Sequence, residues 1–253
     1  YVLTKMQPGM SGTWETQLAS HMLPWREVFA VNKLSFDELL QRDLDDSRVA
    51  HKLIPYLLGD AGVTARFFPP ILAVIAPRAS DKSGIDDYYP KCEREGVFGS
   101  LFDFQQVKFD DKETPLGKLS FNPQKCNFII ADGQHRAMAV LALHRQLNRD
   151  WKGSAYATYY SHIEVTPEEV RNLELPVCLV YFPELTEGHT TLIEKGITLP
   201  RVCRELFIVV NRNAKPVSRS RELLLDDSDI AARLMRRTLS ELKNRSGSDG
   251  SAA

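Results

Sequence analysis

FIIADGQHRAMAVLAL, residues 128–143, carries an apolar strand into a helix through one polar turn. We predict a buried strand over 127–131 from the apolar run that precedes the turn. The dipeptide Asp132-Gly133 predicts a tight turn, and apolar residues then recur at helical spacing as far as about Asn148. The helix residues predicted to face the core are Ala137, Val140, Leu141 and Leu147. The stretch therefore predicts a strand–turn–helix unit.

Two helices are predicted near the start of the chain. Ser35 and Glu38 have the spacing of a capping box, in which a hydroxyl and a carboxylate satisfy backbone donors at a helix start, so a short helix is predicted over about 36–42. A second helix is predicted from about 47 to 58, because apolar residues recur there at helical spacing and Gly59 ends the run.

The chain between these helices and the turn favours β structure. Residues 67–77, FFPPILAVIAP, predict a strand that is buried once it passes Pro70. Residues 77–100 are rich in charge, Gly and Pro, and we interpret them as an insertion or lid loop that is mobile in part. Residues 101–109 and 116–121 alternate loosely, as in a β-hairpin built around the polar sequence DDKETPLG.

Downstream of the turn, helices and strands continue to alternate. Residues 151–163 are predicted as a loop, and Thr166 as the N-cap of a short helix with Pro at its first position and acids in its first turn. Residues 175–182 (LPVCLVYF) predict a buried strand, 201–210 carry an apolar stripe, and a final helix begins at Ser228 or Asp229. The irregular spacing predicts a mixed-sheet α/β or α+β domain.

Composition excludes several classes of protein. With 32 Lys and Arg against 33 Asp and Glu, the formal net charge is -1, so any nucleic-acid surface must be local. The four cysteines are widely separated and indicate neither a zinc site nor a disulfide framework, which favours a reducing, cytoplasmic compartment. No apolar run approaches the ~20 residues of a membrane span, so no membrane association is expected.

We divide the chain into an N-terminal segment (1–34), one domain (35–245) and a disordered tail (246–253). The first residue is Tyr1 and the last eight, SGSDGSAA, are small and polar. Both ends therefore look like cuts, or edges of order, within a longer product.

The turn itself has the properties of an anion site. A helix start presents unpaired N–H groups and the positive end of the helix dipole, and Gly133 lacks a Cβ that would keep a phosphate away. His135 and Arg136 add donors in the first turn, where cations oppose the dipole unless an anion completes the site. Asp132 can cap the helix, orient Arg136 or His135, or help to hold a divalent metal.

A purely structural interpretation stays open beside this one. Asp-Gly before a helix is a common capping turn, and His135 and Arg136 could simply be solvated. The turn matches neither G-x-x-x-x-G-K-[ST] nor G-x-G-x-x-G. Nucleophilic catalysis has less support, because no Ser lies in a G-x-S-x-G elbow and no Cys adjoins a His.

The pentapeptide DGQHR, between an apolar strand and a helix beginning R-A-x-A-V-L, resembles the signature of the DGQHR-domain proteins. These include the DndB-like proteins of bacterial DNA phosphorothioation systems and the DpdB-like proteins. Residues 40–58, 68–75 and 206–220 resemble the family's Gln-Arg segment with its following helix, its first central strand and its Asn-Arg…Lys-Pro segment. The resemblance covers roughly 40–237.

That family is similar to the ParB and sulfiredoxin fold, in which a strand–turn–helix binds nucleotide phosphates. Sulfiredoxins carry their redox cysteine where this chain has Gln134, so sulfinic-acid reduction is set aside. The resemblance implies a bound ATP, or CTP, with Mg²⁺ as its companion and Asp132 as a candidate metal ligand. It implies catalytic roles for Asp132, Gln134 and His135 in positioning water or metal. The implied nucleotide-binding residues are Gly133, His135, Arg136, Gln41, Arg42, Asn211, Arg212 and Lys215.

Residues 201–237 hold nine Lys and Arg and five acids, a local net charge of +4. This basic segment could contact DNA phosphates, could close over a nucleotide, or could be a solvated face. We place Arg233, Arg236 and Arg237 on the polar side of the last helix. The candidate DNA-binding residues are Arg219, Arg221, Arg233, Arg236 and Arg237.

The leading hypothesis is a ParB/sulfiredoxin-like domain that binds and hydrolyses a nucleoside triphosphate in a bacterial DNA-modification or defence system. Its expected partners are DNA and the proteins of that system, and self-association stays open. The alternatives are a DNA-binding transcriptional regulator without turnover and a ParB-like nuclease.

Overall fold

The computed structural model describes residues 1–10, 12, 14–24, 26, 44–59, 66–79, 84–92, 96–151, 154–212 and 229–248. The predicted helix over 36–42 lies outside these ranges, and so do the candidate site residues Gln41, Arg42, Lys215, Arg219 and Arg221. Asn211 and Arg212 are described only as the last residues of a helix.

A five-stranded mixed sheet forms the centre of the domain. Its strands are β1 (Val2–Met6), β2 (Met22–Leu23), β3 (Ile71–Pro77), β7 (Cys126–Asp132) and β8 (Leu175–Val180). They lie in the order β1-β8-β3-β7-β2, with β3 parallel to β8 and antiparallel to β7. Strand β1 adds to β8 antiparallel, and β2 adds to β7 parallel. The prediction of a mixed-sheet α/β domain is confirmed, whereas its likeness to the ParB and sulfiredoxin fold stays a prediction.

Strand β7 and helix α3 (Gln134–Asn148) form the predicted strand–turn–helix. Every residue from Cys126 to Ala131 is buried, so both faces of β7 are covered. In α3, residues 137–144 are all buried, a wider band than the predicted stripe, and Leu147 is half-buried. Helices α1 (Trp14–His21) and α2 (residues 46–58) also pack against α3, so the domain encloses this helix.

Helix α2 comprises Asp46–Arg48, Val49–Leu53 and Ile54–Leu58, and its middle part is π-helical. It matches the helix predicted over 47–58. Asp45 caps it by accepting a 2.8 Å hydrogen bond from the Arg48 N–H, and Gly59 ends it at a φ of 95°. The left-handed conformation explains why the run stops at glycine, which adopts it without a Cβ penalty.

A three-stranded antiparallel sheet projects from this core, in the order β4 (Val97–Phe98), β5 (Phe102–Phe109), β6 (Lys112–Phe121). The predicted hairpin is present, but its turn is only Asp110-Asp111, at φ values of 49° and 58°. Most of the sequence expected as a loop is thus strand. The pairing of β5 with β6 shifts register between Gln106 and Lys108, opposite Pro115. Proline has no N–H to donate to a strand partner, so this irregular pairing accommodates it. At the same place, Thr114 Oγ1 donates to the Val107 carbonyl at 2.6 Å.

The described part of the predicted lid loop packs against the domain. Tyr89 is completely buried, and its hydroxyl donates to the carbonyl of Ile75 in β3. Burial raises the pKa of Tyr89 well above its ordinary value. Residues 84–92 are therefore tied to the main sheet.

Within the residues that the structure describes, a 3-10 helix (Ala157–Tyr160) and four α-helices follow α3. The α-helices are α4 (Pro167–Val170), α5 (Thr190–Glu194), α6 (Leu199–Arg212) and α7 (Ile230–Ser248). The capping box of α4 has the Thr166 N–H donating to Glu169 Oε2 at 2.7 Å. This contact lowers the pKa of the exposed Glu169 carboxyl. Helix α7 begins after Asp229, as predicted. It ends at Ser248, three residues inside the segment 246–253 predicted as a disordered tail. Within the described ranges, no helix has the length and apolar composition to cross a membrane.

Candidate functional site

The predicted turn lies where β7 leaves the sheet. Asp132 pairs with Leu72, but Ile130 pairs with Ala73, so Ala131 forms a β-bulge at the last step before the turn. Gly133 follows at a φ of 81° and its carbonyl accepts the first helical hydrogen bond, from Ala137, at 2.8 Å. The bulge and the left-handed glycine together turn the chain directly from strand into helix.

Arg136 folds back over this turn. One guanidinium nitrogen donates to Asp132 Oδ2 at 2.7 Å and the other donates to the Pro69 carbonyl at 2.7 Å. A Cβ built on Gly133 would lie 2.8 Å from the Arg136 Nη2 atom. Glycine is therefore required for the guanidinium to lie this close to the backbone, in addition to its φ value.

Asp132 supplies the negative charge that the helix start and Arg136 would otherwise lack. The pair is mostly buried, with side chains 25% and 14% exposed. The cost of a cation in the first turn is thus offset inside the protein by the carboxylate four residues earlier. This geometry supports the predicted role of Asp132 in orienting Arg136. The N-cap of the helix is Gly133 rather than Asp132, and it makes no side-chain capping hydrogen bond.

His135 is held by the start of helix α2. Its Nε2 atom lies 3.1 Å from the backbone N–H of Asp45. A backbone N–H can only donate, so this nitrogen carries no proton and the imidazole is neutral with its hydrogen on Nδ1. In this arrangement His135 positions Asp45, and its Nε2 atom cannot donate to a phosphate.

Gln134 is 9% exposed at the first position of α3. Its predicted role in positioning water stays a prediction. Asp132 as a magnesium ligand also stays a prediction, and its Oδ2 atom already accepts from a cation. Across the described ranges, no three or more His, Cys, Asp and Glu side chains are grouped to hold a metal ion. These residues do not by themselves fit a resident metal ion.

Sequence reasoning missed a buried ion pair beside the turn. Asp46 is 6% exposed and accepts hydrogen bonds at 2.5 and 2.6 Å from the two terminal nitrogens of Arg26. The Tyr160 hydroxyl donates to the same carboxylate at 2.5 Å. Burial, with the Asp46 carboxylate beside it, raises the pKa of Tyr160. Asp46 adjoins Asp45, so this cluster lies one peptide away from the His135 contact.

The Asp46 cluster could not be identified from spacing. The sequence signal was the acid-rich start of α2, which is equally typical of a solvated helix cap. Arg26 and Tyr160 lie 20 and 114 positions away along the chain. Only the fold brings the three side chains together.

The basic residues of helix α7 are divided by burial. Arg236 is 7% exposed, so the prediction that it lies on the polar side of the helix is wrong. Ala232 and Arg236 lie one turn apart and are both buried, so they mark the side of α7 that faces the protein. Leu234 and Met235 are exposed on its other side. Arg233 is exposed, and Arg237 is 81% exposed with its Nε atom 3.5 Å from Glu241.

Burial disfavours nucleophilic chemistry at three of the four thiols. Burial raises the pKa of Cys126 and of Cys203 to about 12, and the Cys126 thiol donates to the Leu101 carbonyl at 3.1 Å. Burial also raises the pKa of Cys178. A thiol in such surroundings stays protonated and unreactive.

Comparison of the chain with protein-family models, with curated proteins and with solved structures finds no match. The resemblance to DGQHR-domain proteins therefore depends on the motifs alone. What the geometry offers chemically is a helix N-terminus with a left-handed glycine, a guanidinium over it, and a carboxylate that neutralises that guanidinium.

Proposed function

We propose that the turn 132–136 binds the phosphates of a nucleoside triphosphate, and that the protein hydrolyses it as an accessory or regulatory component of a bacterial DNA-modification or defence system. ATP is the preferred nucleotide, CTP the second choice, and Mg²⁺ arrives with the phosphates. The proposal includes a ParB/sulfiredoxin-like domain and protein partners from that system, as the DGQHR motif suggests.

The observation that carries this proposal is the close approach of Arg136 to Gly133. The guanidinium lies beside the helix N-terminus, where first-turn N–H groups and the helix dipole already favour an anion. Arg136 binds a phosphate bidentately when its planar donors are offered one. A phosphate at this place would compete with Asp132 for Arg136, which would release the carboxylate towards the bound nucleotide.

Because His135 is neutral and its Nε2 atom accepts a hydrogen bond, we assign it a structural role and assign phosphate binding to Arg136. Because its Nε2 atom accepts the Asp45 N–H, His135 acts by fixing the start of helix α2 against the turn. Arg136 is then the side chain that holds the phosphate, and Asp132 and Gln134 are the groups available to position water.

Calorimetric titration of ATP and of CTP with Mg²⁺ tests the proposal. We expect binding to the wild type, and Arg136→Gln to weaken it by roughly 10- to 150-fold, because a hydrogen bond to a charged group contributes about 1.5–3 kcal/mol. Arg171→Gln is the control, since Arg171 is an exposed arginine outside both the turn and the basic segment 201–237. Phosphate release, followed in parallel, reports hydrolysis.

A folded wild type that binds neither nucleotide would rule out the phosphate site. Equal losses in Arg136→Gln and Arg171→Gln would show that the phosphates bind elsewhere. Binding without phosphate release would retain the site and remove the hydrolase activity.

DNA binding without turnover is the second candidate, favoured by the exposed Arg233 and Arg237 on helix α7. We expect Arg233→Gln with Arg237→Gln to lower the slope of log affinity against log salt by about 2 for duplex DNA, since each phosphate contact contributes about 0.9. A slope unchanged by the double variant would exclude α7 as the DNA surface. A wild type that binds DNA and ignores nucleotide would favour this candidate over the first.

A further inference from the structure

The exposed side chain of Phe67 lies next to the candidate phosphate site. Phe67 is 79% exposed, and it precedes by two residues the Pro69 carbonyl that Arg136 binds. Leaving an aromatic ring in water is unfavourable in proportion to its apolar area. Single apolar residues are nevertheless common at protein surfaces, so the surroundings of this ring decide whether it has a role.

The backbone around Phe67 is held by the end of helix α2. The Phe67 N–H donates to the Tyr56 hydroxyl at 3.1 Å, and the Arg66 guanidinium donates to the Leu57 carbonyl. The half-buried ring of Phe68 meets Tyr56 edge-on, with centroids 5.1 Å apart. Phe68 thus packs against the protein, while the ring of Phe67 is left in solvent.

The chain after Phe67 is held by the turn 132–136. Arg136 donates to the Pro69 carbonyl at 2.7 Å. Pro69 and the proline after it have φ angles fixed at about −65° by their rings. Strand β3 follows at once, and its Leu72 pairs with Asp132. The backbone that carries the Phe67 ring is therefore fixed on both sides.

Phe67 lies within reach of a nucleotide whose phosphates bind at Arg136. Two residues of chain span at most about 7 Å, so the backbone of Phe67 lies no further than this from that of Pro69. The sugar and the first phosphate of a nucleotide separate its base from its terminal phosphates by a comparable distance. A base is uncharged, so its binding requires no excess of cations around the ring. A base extending from the phosphates towards Phe67 can therefore lie on the face of its ring.

We propose that Phe67 is the base-stacking residue of the nucleotide site and that it selects purine over pyrimidine nucleotides. This inference rests on the proposed binding of phosphates at the turn. Every base has a π-face on which an aromatic side chain stacks, so stacking does not distinguish adenine from guanine. A purine covers more of the ring than a pyrimidine does and removes more apolar area from water. ATP and GTP therefore bind with similar affinity, and both bind more tightly than CTP.

Calorimetric titration of ATP and of tripolyphosphate, each with Mg²⁺, tests this role, because tripolyphosphate has the phosphates of ATP without its base. We expect Phe67→Ala to weaken ATP binding by roughly 5- to 150-fold, the usual loss when a stacking aromatic is removed, and to leave tripolyphosphate binding unchanged. Phe67→Trp should bind ATP at least as tightly as the wild type. Phe109→Ala is the matched control, since Phe109 is 72% exposed at the far end of β5, and it should change neither affinity.

The stacking role and the phosphate site can fail separately. If Arg136→Gln weakens ATP binding but Phe67→Ala does not, the phosphate site stands and the stacking role is overturned. Equal losses of ATP and tripolyphosphate affinity in Phe67→Ala would also overturn it, because the ring would then act on the phosphate site rather than on a base. Equal affinities of the wild type for ATP and CTP would overturn the purine selectivity. A folded wild type that binds neither ATP nor tripolyphosphate would remove the phosphate site and the stacking role together.

Discussion

Replacing Asp46 by Asn is expected to destabilise the protein by about 3–5 kcal/mol, the cost of removing one partner of a buried ion pair. The Arg26 side chain is 8% exposed and Asp46 6%, so the guanidinium would be left charged with little access to water. Burial opposes the charge on Arg26, but the Asp46 hydrogen bonds and charge outweigh it and raise the pKa of Arg26. The variant loses the hydrogen bonds and charge of Asp46 that raise this pKa. Arg26 nevertheless stays protonated, because an arginine guanidinium keeps its proton in proteins, so the penalty is not relieved by loss of its proton.

Urea unfolding of Asp46→Asn beside Glu174→Gln measures this effect. Glu174 forms an ion pair of similar length with Lys5, at 2.6 Å, but both side chains are more than 40% exposed. The same exchange of acid for amide should therefore cost less than about 1 kcal/mol there. Similar losses in the two variants would show that the Asp46 pair is screened by solvent.

Replacing Phe128 by Ala is expected to cost about 3–5 kcal/mol, the usual range for a fully buried phenylalanine. Phe128 is completely buried in β7, between its register partners Met22 and Ile75. Its ring also meets Phe121 edge-on, with centroids 4.7 Å apart. The substitution removes this contact and leaves a cavity four residues before the Asp132 turn.

Phe109→Ala is the matched control, since Phe109 is 72% exposed at the tip of the β5–β6 hairpin. Its loss should change the free energy of unfolding by no more than about 0.5 kcal/mol. A small effect at Phe128, comparable to that at Phe109, would contradict the burial of β7 on both faces.

Local chemistry made the strand–turn–helix predictable. An apolar run, a glycine and a helical repeat each restrict the backbone over a few residues, so their order along the chain fixed β7, Gly133 and α3. The helix ended at Asn148 as predicted. The cap of α7 at Asp229 was predictable for the same reason, because an N-cap acts on the backbone within three residues.

Predictions about what each polar side chain contacts were less accurate. Arg236 fits the polar pattern of a helix, yet α7 buries it. The sequence DDKETPLG contains several turn-forming residues, yet strand pairing with β5 extends through most of it. The burial of Arg236 and the strand pairing of DDKETPLG both depend on neighbours that are distant in the sequence. A local sequence pattern therefore does not predict them.

The sequence by itself determined the fold class, the buried strand β7, the helix α3 and the tight turn at Asp132-Gly133, because these follow from steric and hydrophobic preferences of adjacent residues. Only the tertiary structure decided that Arg136 pairs with Asp132 and Pro69, that His135 accepts the Asp45 N–H, and that Asp46 meets Arg26. A polar side chain can bind any complementary group within reach. Its partner is chosen by the packing that brings distant segments together and excludes water from between them.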